Sequence, residues 1–327
     1  MTNWRAFLQR CPDLSWRPEV LWHPQVSDHR LRRLCAGRPV VITGAGAGMG
    51  RALARHLTGA GVEVFLVDDD VSAGHETARM CRADGGRVTF TELDVSDAGA
   101  VRAYADGIVE AAGPPAIVFN NAGITMVAGI LEEDDDYARR IMAVNLGGVV
   151  NGTTAFLPHL ESAGSGHIVN TSSAFGLLGS PSQSAYSASK FATRGYSETV
   201  QHQLRAEASG VTLHIVFPGA VHTEIAYRAR YVDPRVRDFV AKGFTHRMPG
   251  TRPAAAAAAI LHGVLAGRLR IPVGIDARAI DLGTRMLAGA VQRPVAVLTR
   301  PVFRRILGGA GQSVRTGQGS DGTPASV

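Results

Sequence analysis

Near the middle of this 327-residue chain, Ser173, Tyr186 and Lys190 combine a hydroxyl, a phenol and an ammonium, the groups needed to move a proton. Tyr186 and Lys190 stand four residues apart, so on a helix they share one face. The sequence predicts that helix over 184–208, where Tyr186, Phe191, Tyr196, Val200 and Leu204 recur at roughly helical spacing and no proline intervenes. A phenol titrates near pH ~10, too high for a base at neutral pH, and a fixed ammonium beside it favours the phenolate. At about 4 Å and an effective dielectric of about 20, the attraction is roughly 4 kcal/mol. That is worth about three pK units, the shift proton transfer at pH 7 needs. The plainer reading is a buried tyrosine beside a solvated lysine. Composition counts against it, because all but two of the 34 Lys and Arg residues are arginines, yet a lysine stands at 190. A compact point charge differs from a planar fork.

The elements that must position these groups are legible upstream. An apolar run after Arg38 leads into Gly44-Ala-Gly-Ala-Gly48-Met49-Gly50 and then into a helical pattern from Arg51. Strand, glycine turn and helix form the context in which backbone N–H groups and a helix dipole cradle phosphate. A second strand over 62–67 ends at Asp68, 18 residues beyond Gly50, where a carboxylate can take the hydroxyls of a ribose and repel a 2′-phosphate. No Arg or Lys follows at 69 or sits in the loop, so the expected cofactor is NAD rather than NADP.

The alternation continues. A helix over 72–83 precedes a strand over 87–93, with Asp94-Val95 at its end; a helix over 98–111 precedes a strand over 116–119, followed by Asn120-Asn121-Ala122-Gly123. One long helix is expected over 134–158, with Asn145 inside it. Strands follow over 166–171 and 212–217, the latter ending at Pro218-Gly219-Ala-Val221-His-Thr223, and a last strand over 271–275. Repeated β-α units predict an α/β, three-layer, doubly wound Rossmann fold: a central parallel sheet flanked by helices, with ligands gathering beyond the strands' carboxyl ends.

The pattern delimits a catalytic unit at 38–276, an N-terminal extension at 1–37 holding all three tryptophans (Trp4, Trp16, Trp22), and a C-terminal extension at 277–327 whose last twenty residues have a disordered composition. Residues 224–250 place aromatics among arginines just past the cofactor side and are expected to form a substrate lid. The charge of +6 sits at the ends: +4 over 1–38, +4 over 291–327 and −2 between. No nucleic-acid motif is present. Cys11, Cys35 and Cys81 show neither disulfide nor metal spacing, which suggests a reducing compartment. A signal peptide and a transmembrane span are not expected.

At this point the sequence resembles the short-chain dehydrogenase/reductase family, in its classical branch. Thr43-Gly44-x-x-x-Gly48-x-Gly50 is similar to the family's phosphate loop, and Ala47 stands where the extended branch has its second glycine. Asn120 to Gly123 match the motif bordering the adenosine. Asn145, Ser173, Tyr186 and Lys190 match the catalytic tetrad, while Pro218, Gly219 and Thr223 match the nicotinamide segment. The resemblance covers about 39–275. It implies hydride transfer between NAD and a carbinol or carbonyl carbon. Ser173 would hold the substrate oxygen, Tyr186 would pass its proton, Lys190 would lower the tyrosine pKa and bind the nicotinamide ribose, and Asn145 would anchor a relaying water. Cofactor contacts are expected from Gly44, Gly48, Met49, Gly50, Asp68, Asp94, Val95, Asn121, Ala122, Gly123, Tyr186, Lys190, Pro218, Gly219, Val221 and Thr223, with no metal.

The family also implies a homodimer or homotetramer. The arginine-laced C-terminal addition resembles that of members acting on lipophilic alcohols, which suggests a hydrophobic secondary alcohol or ketone as substrate. It further suggests a cytoplasmic protein whose basic ends touch an anionic membrane surface. NADP-linked carbonyl reduction and a non-catalytic, cofactor-binding redox sensor or scaffold remain as alternatives.

Overall fold

The computed structural model describes residues 26–231, 237–238, 240, 250–297 and 299–300. All three tryptophans, Cys11, most of the expected lid and the stretch 308–327 lie outside these.

Seven parallel strands run in the order β3-β2-β1-β4-β6-β7-β9: β1 is Val40–Thr43, β2 Val64–Asp68, β3 Val88–Glu92, β4 Ile117–Asn120, β6 Gly166–Thr171, β7 Val211–Pro218 and β9 Arg270–Val273. Every residue of β1 and β4 is buried, because helices cover both faces of the sheet. The strand order reverses between β1 and β4, and a crevice opens beyond the carboxyl ends at that point. A separate two-stranded parallel sheet pairs β5 (Met126–Val127) with β8 (Arg230–Tyr231), stitching the start of the expected lid to the loop after β4.

Helices start where the sequence supplies a carboxylate. In the run Asp68-Asp69-Asp70, the last member caps the helix Val71–Ala83 by accepting from the Ala73 N–H at 3.0 Å. Asp97 and Asp134 do the same for the helices Ala98–Ala112 and Asp135–Met142. Each such cap is worth about 1 kcal/mol.

The single helix expected over 134–158 is instead interrupted. Asp135–Met142 passes into a π-turn at Ala143–Gly147 and resumes as Gly148–Ser162, running past Pro158. The turn is widened where the fully buried Asn145 bonds away from its own helix: its Oδ1 accepts from the Ile124 N–H at 2.9 Å, and its Nδ2 donates to the Ile124 carbonyl and Ser189 Oγ. By length and composition Asp135–Ser162 is long and apolar enough to cross a membrane, but half of its most apolar window is buried inside the fold. Cys35 and Cys81 are free thiols, both buried.

Candidate active site

The glycine turn joins β1 to the helix Gly48–Gly59. Gly44 and Gly48 have φ of +63° and +52°, in the left-handed region that favours glycine. A Cβ at Gly44 would stand 2.7 Å from Ala122 Cα, and one at Gly48 would stand 2.9 Å from Thr223 Cγ2, so the loop is pressed against two other predicted cofactor segments. The Thr43 hydroxyl accepts from the N–H groups of Asn121 (3.0 Å) and Ala122 (3.1 Å), which locks the β4 loop to the glycine turn.

Asp68 faces this turn. One carboxylate oxygen accepts from the Gly46 N–H at 2.7 Å and the other from the Asp70 N–H at 3.0 Å. Burial pushes its pKa up, while these two hydrogen bonds act against that, with smaller contributions from Asp69 and Arg228. Gly44, Gly48, Met49, Asp68, Asp94, Val95, Asn121, Ala122, Gly123 and Thr223 line one groove. Gly50 lies beneath it, against the Gly44 carbonyl. Asp94 is held by Arg140 at 2.9 Å.

A second cavity adjoins the first through Met49, Asn121, Gly123, Thr125 and Thr223. Ser173, Tyr186, Lys190, Pro218, Gly219 and Val221 line it. The Ser173 hydroxyl acts to lower the Tyr186 pKa and accepts from the Phe175 N–H at 3.1 Å. Phe175 sets its ring edge-on to Tyr186, with centroids 6.4 Å apart. Tyr186 and Lys190 belong to the helix Ser184–Ala206. The Lys190 ammonium donates to the Thr171 carbonyl at 2.9 Å and lies 5.7 Å from the centre of the phenol ring. A Cβ on Gly123 would sit 3.2 Å from Asn145 Oδ1 and 3.3 Å from Lys190 Nζ, so the loop passes close between them.

The electrostatics differ from the sequence expectation in one respect. Burial raises the Tyr186 pKa, and the hydrogen bond with Ser173 only partly offsets this. Burial also lowers the Lys190 ammonium to about 8. The sequence expectation rests on attraction to an ammonium at about 4 Å in an effective dielectric of about 20, whereas desolvation governs both groups here. Asn145 lines neither cavity, and its side chain bonds Ile124 and Ser189; the Ser189 hydroxyl in turn donates to the Tyr186 carbonyl at 2.7 Å, which ties the π-turn to the Tyr186 helix.

Other contributors carried no motif. The Ser172 hydroxyl donates to the Lys190 carbonyl at 2.8 Å. Asp276, at the start of the C-terminal helix Ile275–Leu287, accepts from the Ala220 N–H and lies where a Cβ on Gly219 would be, bracing the Pro218-Gly219 turn. From the lid side, Ile225 and Arg228 reach the groove, with Arg228 3.0 Å from Asp70.

The family profile described as short chain dehydrogenase matches residues 38–231. SadH of Mycobacterium tuberculosis, a protein named as an oxidoreductase, is 40% identical over 260 residues, covering 80% of this chain and 94% of its own. Among solved structures, a short-chain dehydrogenase/reductase from Burkholderia phymatum in complex with NAD superposes with a TM-score of 0.69 at 30% identity, covering 77% of this chain and 92% of that one. An alcohol dehydrogenase from the archaeon Thermococcus sibiricus, complexed with 5-hydroxy-NADP, reaches a TM-score of 0.58 at 27% identity, covering 70% and 89%. The chain therefore belongs to the short-chain dehydrogenase/reductase family and is an NAD(P)-dependent oxidoreductase.

Proposed function

We propose that the protein interconverts a lipophilic secondary alcohol and its ketone, with NAD as the hydride partner. The observation that carries this reading is the convergence of Ser173, Tyr186 and Lys190 on a cavity continuous with the glycine-turn groove. The Ser173 hydroxyl would hold the substrate oxygen. The Tyr186 phenol would give it a proton during reduction and take one during oxidation, and the Lys190 charge would stabilise the phenolate in the second case. NAD, when bound, supplies the hydride acceptor, and the protein supplies alignment.

The residues fit a dinucleotide. The backbone of Gly44, Gly48, Met49 and Gly50 at a helix N-terminus would take the pyrophosphate, and Asp68 the adenosine ribose. Asp94, Val95 and Asn121 to Gly123 would border the adenosine, Tyr186 and Lys190 the nicotinamide ribose, and Pro218, Gly219, Val221 and Thr223 the nicotinamide. Asn121 and Thr125, whose buried Oδ1 and Oγ1 have no hydrogen-bond partners among the described residues, border this shared space.

Two routes support NADP as a second reading: Arg228 lines the groove close enough to act on Asp68, and a relative of known structure holds an NADP derivative. Titrating NADH and NADPH separately decides between them. Screening secondary alcohols of graded size with NAD, for wild type and Tyr186→Phe, tests the chemistry. The variant is expected to lose turnover by about a thousandfold while still binding NADH; unimpaired turnover would refute the assignment.

The same reading places the catalytic unit at 38–276 between two extensions, in a cytoplasmic homodimer or homotetramer. Phe191, exposed on the Tyr186 helix, supports pairing through that helix. Leu282, Met286 and Leu287 are exposed on the C-terminal helix, which also carries Arg278 and Arg285, and this supports weak contact with anionic membrane. Sedimentation showing a monomer, or indifference to anionic liposomes at low salt, would remove these assignments.

A further inference from the structure

We infer that Gln183 is a specificity-determining residue whose side-chain amide oxygen receives a hydrogen bond from a second polar group of the substrate, a hydroxyl or N–H a few bonds from the reacting carbon. This deepens the alcohol–ketone reading and rests on it.

Gln183 is the N-cap of the helix Ser184–Ala206, but its side chain makes no capping bond. The cap comes from a distant segment instead. The Glu133 carboxylate accepts from the Ser184 hydroxyl at 2.6 Å and from the Ala185 N–H at 3.1 Å. A carboxylate there also suits the helix dipole. The Gln183 amide is thus released from the task its position normally imposes. Its Oε1 is buried and has no hydrogen-bond partner among the described residues. Leaving a buried acceptor unpaired destabilises the fold until a donor arrives. The preceding residue, Ser182, adds to that cost with a φ of +59°, a strained value for a residue with a Cβ.

The location says what would satisfy it. Asn121 and Thr125 carry the neighbouring unpartnered oxygens, and both border the dinucleotide groove as well as the inner cavity. Gln183 borders the inner cavity and not the groove given to the adenosine and pyrophosphate, so a substrate seated beside the nicotinamide can meet it. Val127, Phe175, Ala226 and Ala229 line the same cavity with apolar groups, and Gln183 is a polar group among them. Tyr186 lies three residues along the helix, a rise of about 4.5 Å, which sets the second group a short span from the carbon that reacts. A carbonyl oxygen of an amide only accepts, so the substrate must donate.

The test uses the full-length protein with NAD and three matched sets: cyclohexanol, the isomeric cyclohexanediols, and their monomethyl ethers, which keep an oxygen but lose the donor. In wild type, kcat/KM for at least one diol is expected to exceed that for cyclohexanol and for the matching ether by about tenfold or more. Gln183→Met, similar in length and apolar, is expected to bring the three to within about twofold of each other while NADH affinity holds. A purely structural role for Gln183 would lower all three together and leave the ratios intact. Unchanged ratios in the variant, or wild-type turnover that does not distinguish diol from ether, would overturn the inference while leaving the alcohol–ketone reading standing. Wild type that binds NADH but oxidises none of the three sets would overturn both. If Gln183→Met does not fold, the wild-type ratio of diol to ether decides.

Discussion

The Lys190 ammonium donates to the Thr171 carbonyl at 2.9 Å while only 3% of the residue is exposed, so the helix Ser184–Ala206 carries a buried cation anchored to the end of β6. Burial holds its pKa at about 8, below the usual 10.5. The unfolded chain therefore binds that proton more readily between these values, and stability rises with pH across the interval. Below about 8 the fold carries the whole penalty, about 3 kcal/mol. Lys190→Met is expected to stabilise the protein at pH 7 by about 1–3 kcal/mol, allowing for the unpaired Thr171 carbonyl, and to abolish most turnover. Urea unfolding at pH 7 and pH 10 checks this; the gain should shrink at the higher pH.

Tyr186 is held protonated by burial and stands beside an ammonium that discharges near pH 8. For ketone reduction, kcat/KM is expected to stay level through neutral pH and to fall above about 8, as the charged lysine that supports proton donation is lost. A profile that climbs through pH 9 would contradict this.

Asp68 both faces the groove and ties down the Gly46 N–H at 2.7 Å. Asp68→Asn keeps an acceptor but removes the charge that repels a 2′-phosphate. NAD affinity is expected to drop about tenfold or more, and NADP affinity to rise relative to it. Calorimetric titration of both dinucleotides measures the change. Equal losses for both would mean the residue shapes the loop rather than reads the ribose.

Much of this site was legible because its chemistry fixes residue types at fixed spacing. The left-handed turns at Gly44 and Gly48, the carboxylate after β2 and the helical pair at 186 and 190 each leave a local trace. What escaped notice depends on residues far apart in the chain. The π-turn at Asn145 forms because Ile124 and Ser189 claim its side chain, from 21 and 44 residues away. Glu133 caps a helix that begins 51 residues later. The tyrosine–lysine electrostatics follow the same rule: sequence spacing gives proximity but not burial, and burial is the leading cause of both shifts.

On the paired strands β6 and β7, His167 Nδ1 lies 3.0 Å from His214 Nε2, and His214 Nδ1 lies 2.7 Å from the Arg268 carbonyl. Burial, His214 and Arg38 together lower His167 to about 4, and burial lowers His214 too. The unfolded chain thus binds more protons between about 4 and the ordinary value of ~6.5, and stability falls as pH drops through that window. Exchanging both by His167→Gln and His214→Gln is expected to flatten this acid limb, by up to about 3 kcal/mol at pH 4. Denaturant midpoints measured from pH 4 to 7 test it; an unaltered limb would place the proton uptake elsewhere.

The reach of Asp276 into the Pro218-Gly219 turn has a practical corollary for anyone trimming this chain. A version cut after Val273 would keep every strand of the sheet, yet forfeit the clasp that steadies one wall of the catalytic chamber. What looks like a dispensable tail starts with a working part, so a shortened enzyme that folds well but reacts sluggishly should be suspected of a loosened wall before its chemistry is blamed.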